Sequence, residues 1–178
     1  MRVVGGELRG RRLAAPPGRS GAVRPTADRV REALFSILRD AVGGASIADL
    51  FCGTGALAIE ALSRGAARAL LVDSDPRLAR RNVAELGLGG RAEVIRADVM
   101  GFLRRGGERF DLIFCDPPYN IADRVEGDLD SLIPPRLARG GRLIVESSAR
   151  RPLELAALPL GLERRYGEAL VRIYGGQR

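Results

Sequence analysis

Residues 46–58 read SIADLFCGTGALA, and this stretch decides the fold. The apolar run Ile47–Phe51 predicts a buried strand, and a helical stretch, Ala56–Arg64, follows it closely. Gly53 and Gly55 occupy the turn between them, where the missing side chain lets the backbone approach a ligand. A strand, a glycine turn and a helix in this order are typical of a nucleotide-binding α/β unit.

The alternation of strand and helix continues along the chain. Further apolar runs lie at Ala69–Val72, Ala92–Ile95, Leu112–Cys115 and Leu143–Val145, and helical stretches at Arg77–Leu86, Val99–Arg105 and Gly127–Ala138. Nearly continuous apolar strands with helical crossovers indicate a parallel sheet covered on both faces. Leu162–Arg165 and Leu170–Tyr174 predict a terminal antiparallel hairpin around Gly167. We therefore expect a doubly wound, Rossmann-like, mostly parallel α/β domain over residues 26–178.

Residues 1–25 are expected to form a separate basic appendage. The chain of 178 residues has a formal net charge of +7, and residues 1–24 contain six arginines against one acid, Glu7. Val3-Val4 and Leu8–Leu13 flank two glycines, which predicts a short β-hairpin with exposed basic residues. A helix is predicted to begin near Thr26 as its N-cap. A cationic front end suits a polyanion such as nucleic acid, although solvated surface arginines are the alternative.

Two absences exclude several classes of chemistry. The chain contains no histidine and no lysine, so a Ser-His-Asp triad, a histidine metal site and Schiff-base chemistry are all ruled out. Cys52 and Cys115 are too few for a zinc site and are expected to be buried and reduced. We expect no metal, no membrane span, no secretion signal and no obligate protein partner, hence a cytoplasmic protein.

Acidic residues follow the first three predicted strands and form a candidate cofactor site. Asp49 precedes the glycine turn, Asp73 ends the second strand, and Asp98 follows the third. A carboxylate at Asp73 suits a ribose diol, and one at Asp98 suits the exocyclic amine of adenine. A nicotinamide dinucleotide and S-adenosylmethionine both fit this pattern. Asp49 favours S-adenosylmethionine, because a carboxylate there repels a pyrophosphate and attracts the ammonium of a methionine moiety. Glu60 fits either a contribution to this site or a helix-surface charge.

The fourth strand runs directly into Asp116-Pro117-Pro118-Tyr119. Two prolines stiffen the backbone and remove two N–H donors, so carbonyl and carboxylate oxygens dominate the loop. Accepting both hydrogens of an exocyclic amine, at Asp116 and the Pro117 carbonyl, localises the nitrogen lone pair and makes it nucleophilic. Tyr119 offers a ring on which a flipped base stacks. This loop therefore predicts methyl transfer to the exocyclic amine of a base.

Several stretches resemble one known family, the bacterial 16S rRNA guanine-N2 methyltransferases of the RsmD type. The matching stretches include Arg2-Val3-Val4-Gly5-Gly6, Gly10-Arg11-Arg12-Leu13, Arg24-Pro25-Thr26, Asp28–Phe35, Asp49–Leu57, Glu60–Ala66, Asp116–Tyr119 and Tyr166-Gly167-Glu168.

The resemblance implies S-adenosylmethionine as methyl donor and, as partner, the small ribosomal subunit or its assembly intermediate. It implies cofactor binding by Asp49, Gly53, Gly55, Asp73 and Asp98, and catalysis by Asp116, Pro117 and Tyr119. The RNA-binding part is then the basic appendage, with Arg2, Arg9, Arg11, Arg12, Arg24 and Thr26. At Asp73 the chain carries a shorter acid than the glutamate common in this family.

Other functions remain compatible with parts of the sequence. The same loop serves adenine-N6 and cytosine-N4 DNA methyltransferases, and a related loop methylates glutamine amides in proteins. A non-catalytic ribosome-assembly protein would use the basic hairpin but has no need of the acids. A dehydrogenase would bind a nicotinamide dinucleotide.

Overall fold

A computed structural model describes residues 1–16 and 25–175. The strands among them are β1 Ser46–Leu50, β2 Arg68–Asp73, β3 Ala92–Arg96, β4 Phe110–Cys115, β5 Leu137–Ser148, β6 Leu160–Tyr166 and β7 Ala169–Gly175. The α-helices are α1 Pro25–Leu38, α2 Ala56–Ser63, α3 Arg77–Glu85, α4 Val99–Arg104 and α5 Ala122–Leu132.

The strands form one sheet in the order β3-β2-β1-β4-β5-β7-β6. β1 to β5 run parallel, and β7 pairs antiparallel with both β5 and β6. The strand order reverses between β1 and β4, and open α/β sheets bind ligands at the carboxyl edge of such a switch point. The predicted Rossmann-like fold with its terminal antiparallel hairpin is confirmed.

One helix prediction was wrong. We expected Gly127–Ala138, whereas α5 begins at Ala122 and ends at Leu132. It begins early because the Pro118 carbonyl accepts hydrogen bonds from the N–H groups of Ile121 and Ala122, so the helix grows directly out of the turn after β4. Pro134 then opens a single 3-10 turn, and β5 starts at Leu137, since consecutive prolines prevent an α-helix from continuing.

The N-terminal hairpin is reduced to a single antiparallel bridge between Arg2 and Arg12. The Val3 N–H donates to the Arg11 carbonyl at 3.0 Å, and the Gly10 N–H donates to the Val3 carbonyl at 2.9 Å. Residues 5–10 form turns rather than longer strands. The prediction that Thr26 is the N-cap of this helix was also wrong. α1 begins at Pro25, so Thr26 lies inside its first turn. Proline is favoured at the first helical position because its φ is already helical.

Hydrogen bonds and apolar contacts hold this N-terminal segment, residues 1–16, against α2. Val3 and Leu13 are buried in the same cluster as Leu34 of α1 and Ile59 of α2. Gly6 lies so close to the α2 backbone that an added Cβ would stand 1.8 Å from the Ser63 carbonyl oxygen. The positive φ of Gly6, 76°, excludes ordinary side chains for a second reason.

Glu60 provides the polar contacts between the N-terminal segment and α2. This differs from both roles considered for it in the sequence, a contribution to the cofactor site and a helix-surface charge. Its side chain is fully buried, and its Oε1 accepts a hydrogen bond from Arg64 at 2.7 Å. Oε2 accepts from the Val4 N–H at 2.8 Å and lies 3.4 Å from the Arg31 guanidinium. Glu60 is neither a surface charge nor part of the acid-rich sheet edge, because these three partners use both of its oxygens.

The two faces of the sheet carry two separate apolar cores. Ile47, Leu71, Phe114 and Ile144 belong to the core that α1, α2 and α3 cover, whereas Ala48, Val72, Cys115 and Val145 belong to the core that α4 and α5 cover. Side chains alternate along a strand. The acids at the carboxyl edge, Asp49, Asp73, Asp116 and Glu146, therefore all share the face of α1, α2 and α3.

Candidate active site

The loop after β1 has an alternating backbone conformation. Phe51, Gly53 and Gly55 have φ values of 59°, 53° and 75°. At Gly55 a Cβ would stand 2.7 Å from the Leu71 side chain, so packing as well as φ requires glycine. At Gly53 a Cβ would meet nothing within 4 Å, so the backbone there faces open space. Phe51 adopts this conformation without being glycine, at a cost of roughly 1 kcal/mol, and nothing in the sequence pattern indicated it.

Asp49 is a buried acid whose side chain, among the described residues, accepts one hydrogen bond. Its side chain is 2% exposed, and Oδ2 accepts from the Ala58 N–H of α2 at 3.1 Å. Burial raises the pKa of Asp49 to about 8; the bond from Ala58 opposes this shift, and the charges of Asp116 and Asp73 add to it. A buried acid in this state fits a cationic ligand group, which would supply the charge that the protein does not.

Asp73 and Asp98 lie along the same edge, and both already bind backbone amides. Asp73 accepts from the N–H groups of Gly53 at 2.8 Å and Asp75 at 2.9 Å, which ties β2 to the glycine loop. Asp98 caps α4 by accepting from the Gly101 N–H at 2.7 Å. Their positions fit the predicted ribose and adenine contacts, and those two functions stay predictions.

The loop Asp116–Tyr119 leaves the sheet directly beside Asp49, because Cys115 of β4 is in register with Leu50 of β1. Pro117 is buried, and the Tyr119 ring is 65% exposed. The Pro118 carbonyl binds the first turn of α5, which leaves the Pro117 carbonyl as the candidate acceptor of the loop. The structure thus brings Asp49 and Asp116 to the ends of adjacent strands, a proximity that follows from the sheet order.

Asp116 and Glu146 influence each other at the ends of β4 and β5. Asp116 keeps an exposed surface, but protein packed around its carboxyl group and the nearby charge of Glu146 raise its pKa to about 7. Desolvation also raises the pKa of Glu146. Glu146 was not among our candidates, although it directly follows the predicted strand Leu143–Val145, because no glycine turn or proline loop accompanies it. The pairing of β4 with β5 is what identifies it.

Both cysteines are unsuited to nucleophilic chemistry. Cys52 and Cys115 are buried, and burial together with the charge of Asp49 raises the pKa of each thiol. Among residues 1–16 and 25–175, no three His, Cys, Asp or Glu side chains are grouped so that they could hold a metal ion. No helix in these ranges is both long and apolar enough to cross a bilayer.

The predicted RNA-binding arginines cluster on the N-terminal segment. Arg2, Arg9, Arg11 and Arg12 are all exposed, and Arg2 is paired with Arg12 across the single bridge. Arg11 also donates to the Glu85 carbonyl at the end of α3, at 3.3 Å. Arg24 lies outside the described residues, and Thr26 is described only as part of the α1 backbone.

Buried Asn82 of α3 joins the N-terminal segment to the glycine loop. Its side chain accepts from the Ala14 N–H at 2.7 Å and donates to the carbonyls of Ala14 at 3.2 Å and Thr54 at 2.9 Å. Met1 Sδ lies 3.7 Å from the Thr54 hydroxyl on the same loop. The basic surface therefore borders the candidate cofactor site, a proximity that residue spacing alone did not indicate.

Comparison with known proteins identifies the class. The yhhF protein from Escherichia coli superposes with a TM-score of 0.82 and 34% identity, over 99% of this chain and 98% of that one. The protein SMU.776, solved in complex with SAH, covers 84% of this chain and 49% of that one at 18% identity, with a TM-score of 0.66, so it concerns the fold alone. The fold is that of the S-adenosylmethionine-dependent methyltransferases.

Sequence comparison identifies the family. The model described as conserved hypothetical protein 95 matches residues 1–175. Ribosomal RNA small subunit methyltransferase D of Escherichia coli is 40% identical over 121 residues, which span 67% of this chain and 60% of that protein. This chain belongs to that family, the RsmD-type proteins, and S-adenosylmethionine is the methyl donor of its class. The predicted family resemblance is confirmed.

Proposed function

We propose that the protein transfers a methyl group from S-adenosylmethionine to the N2 amine of a guanine in small-subunit rRNA. The observation that carries this proposal is the adjacency of two strand ends: buried Asp49 is the penultimate residue of β1, and the Asp116–Tyr119 loop leaves β4 beside it. One end suits a cationic cofactor, and the other suits an exocyclic amine. The name of the Escherichia coli relative, which specifies small-subunit rRNA, supports the substrate class.

The residues at the first strand end would hold the cofactor. Asp49 attracts the methionine ammonium, Gly53 leaves open space for the ligand beside the loop backbone, and Gly55 lets the loop turn closely against Leu71. Asp73 would accept hydrogen bonds from the ribose hydroxyls, and Asp98 would accept one from the adenine amine. S-adenosylmethionine supplies a methyl group on a sulfonium, which needs no further activation by the protein.

The residues at the second strand end would prepare the base. Asp116 and the Pro117 carbonyl accept the two hydrogens of the amine, so its lone pair turns toward the methyl group. Because the amine nitrogen gains a bond to carbon and becomes cationic, it then releases one proton. Asp116, whose pKa of about 7 is matched to neutral pH, is placed to receive it. Tyr119 stacks on the base.

The basic N-terminal segment would bind the RNA. Arg2, Arg9, Arg11 and Arg12 present positive charge next to the site, and phosphate contacts of this kind position a nucleic acid without reading its sequence. Arg24 and Thr26 are proposed to extend this surface along the start of α1. The partner is proposed to be the small ribosomal subunit or its assembly intermediate.

The test is transfer of labelled methyl groups to a panel of acceptors. Unmodified small subunits, naked rRNA, duplex DNA and a protein extract are each incubated with enzyme and labelled S-adenosylmethionine, and the labelled product is digested to nucleosides. We expect N2-methylguanosine from rRNA, and comparison of particle with naked RNA defines the form of the substrate. Label in DNA as N6-methyldeoxyadenosine or N4-methyldeoxycytidine would replace the proposed substrate. Binding of S-adenosylmethionine without any label would favour an assembly factor.

A further inference from the structure

Glu146 lies directly beside Asp116. Cys115 of β4 is in register with Val145 of β5, and the next residue on each strand is Asp116 and Glu146. Neighbouring strands are about 4.8 Å apart. Both side chains share one face of the sheet, because Phe114 and Ile144, two residues earlier, contribute to the same core.

In the described parts of the chain, no basic side chain is ion-paired with either acid. Among residues 1–16 and 25–175, the carboxyl groups of Asp116 and Glu146 take part in no ion pair and no side-chain hydrogen bond. Two adjacent carboxylates only accept hydrogen bonds when ionised, and their mutual repulsion is relieved by a ligand that brings two neighbouring N–H donors. The pair therefore selects a particular pattern of donors.

The bases with an exocyclic amine differ in the group next to that amine. Guanine presents N2–H and N1–H side by side, both as donors. Adenine and cytosine place an unprotonated ring nitrogen, whose lone pair is an acceptor, beside the amine. A carboxylate facing that lone pair is repelled and loses its hydrogen bond, and sites built for a hydrogen bond reject analogues that lack it strongly.

We propose that Glu146 accepts the N1–H of the target guanine while Asp116 accepts an N2–H, so that Glu146 determines the choice of base. The inference rests on the proposed function, because it assigns the specificity of the same methyl transfer. It explains how one site restricts a loop that is compatible with any exocyclic amine. No aromatic residue is required for this discrimination.

The test uses 2-aminopurine, which keeps the amine at position 2 but has an unprotonated N1. Small subunits are reconstituted with rRNA that carries either guanine or 2-aminopurine at the position methylated by the wild-type enzyme. We expect wild type to prefer guanine by at least about 100-fold in kcat/KM. In Glu146→Gln the side-chain amide can donate a hydrogen bond to the N1 lone pair of 2-aminopurine. The preference for guanine over 2-aminopurine in kcat/KM should therefore fall by about tenfold or more.

Three further measurements make the outcome decisive. Glu93→Gln, on the exposed side of β3, removes a carboxylate outside the site and should keep the wild-type preference. Glu146→Asp retains a carboxylate and should keep rejecting 2-aminopurine, at lower turnover. The affinities of the enzyme for the guanine and the 2-aminopurine particles are measured with S-adenosylhomocysteine present. A variant without turnover then still yields the ratio of the two affinities.

The two possible failures are distinguishable. If wild type places no methyl group on a guanine N2, the proposed function falls, and this inference with it. If wild type methylates guanine and Glu146→Gln retains the full preference in both turnover and affinity, only the assignment of Glu146 is overturned. A smaller preference for guanine over 2-aminopurine in Glu146→Gln, with the wild-type preference kept in Glu93→Gln, supports the assignment of Glu146.

Discussion

The Oε2 atom of fully buried Glu60 accepts a hydrogen bond from the Val4 N–H at 2.8 Å, and this bond connects α2 to the N-terminal segment. We expect Glu60→Ala to lower the free energy of unfolding by about 3 kcal/mol, because it removes the buried carboxylate that the Val4 N–H, Arg31 and Arg64 share, while Arg31 keeps its ion pair with Asp28. Urea denaturation measures the loss, and amide exchange should rise over residues 3–8. Glu85→Ala, which breaks the exposed ion pair with Arg81, should cost no more than about 0.5 kcal/mol. Equal costs would contradict this account of Glu60.

Replacing Asp49 by Asn should weaken cofactor binding and stabilise the free protein at high pH. The folded pKa of about 8 lies above the ordinary value of 3.8, so folding takes up a proton between these values. Wild-type stability therefore falls as pH rises from 4 to 8, with an upper limit of about 1.36 kcal/mol per pKa unit. Asn does not titrate, so Asp49→Asn should be more stable at pH 8 by on the order of 2 kcal/mol.

Thermal denaturation of both proteins at pH 5 and pH 8 tests this expectation, and calorimetry with S-adenosylmethionine tests the loss of affinity. Glu93→Gln is the control for removal of one negative charge. An Asp49→Asn variant with wild-type affinity would exclude Asp49 from the cofactor site.

Asp116→Ala should abolish methyl transfer while binding of S-adenosylmethionine survives. Asp116 is assigned to the substrate amine, whereas the cofactor contacts lie at the ends of β1, β2 and β3. Loss of a preorganised acceptor typically costs a factor of about 100–1000 in turnover. Single-turnover transfer and cofactor titration are measured on the same preparation. Simultaneous loss of binding and transfer would contradict the assigned function.

The rate should also depend on pH through the ionisation of Asp116. The pKa of Asp116 is raised to about 7 by desolvation and by the charge of Glu146. Only the ionised carboxylate can accept a hydrogen bond from the amine and then take up the proton that the amine releases. We expect kcat/KM to rise with pH and level off above about 7, falling roughly tenfold per pH unit below it. Glu146→Gln removes a negative neighbour and should move the midpoint to lower pH. A flat profile between pH 5.5 and 8 would argue against Asp116 as acceptor.

Replacing Arg9, Arg11 and Arg12 together by Ala should weaken RNA binding in a salt-dependent way. For single-stranded RNA, the slope of log binding constant against log salt concentration is roughly −0.7 per phosphate contact. Three lost contacts should therefore make this slope less negative by about 2. Affinity is measured across a salt series for variant and wild type. The matched control replaces Arg104, Arg150 and Arg164, which are outside the N-terminal segment. An unchanged slope would identify the three N-terminal arginines as solvated surface charges.

The parallel sheet was predictable because buried strands with helical crossovers produce a strong hydropathy pattern. The start of α5 was not, because it depends on one carbonyl, that of Pro118, which begins the helix where the pattern alone gives no sign. The sequence predicted a β-hairpin where the structure has only the single bridge between Arg2 and Arg12, for a similar reason. The segment is stabilised by contacts with α2, and short-range spacing contains no information about those contacts.

The candidate site shows the same division. Asp49, Asp73, Asp98 and Asp116 were predicted because each lies near the end of a predicted strand, and strands that run parallel bring their carboxyl ends together. Glu146 also follows a predicted strand, but its place beside Asp116 depends on the pairing of β5 with β4, which a single sequence does not specify. Glu60 was left open because burial inside α2 depends on what packs over it, here the N-terminal segment.

The sheet order has a consequence for colloidal behaviour. β6 is an outer strand, and an outer strand exposes backbone groups that another chain could pair with. Its consecutive residues Glu163, Arg164 and Arg165 are all exposed, and Glu163 is ion-paired with Arg172 of β7. Charged side chains along such an edge oppose strand addition by a second molecule. The terminal hairpin thus completes the sheet and also protects a concentrated solution of the protein against edge-to-edge aggregation.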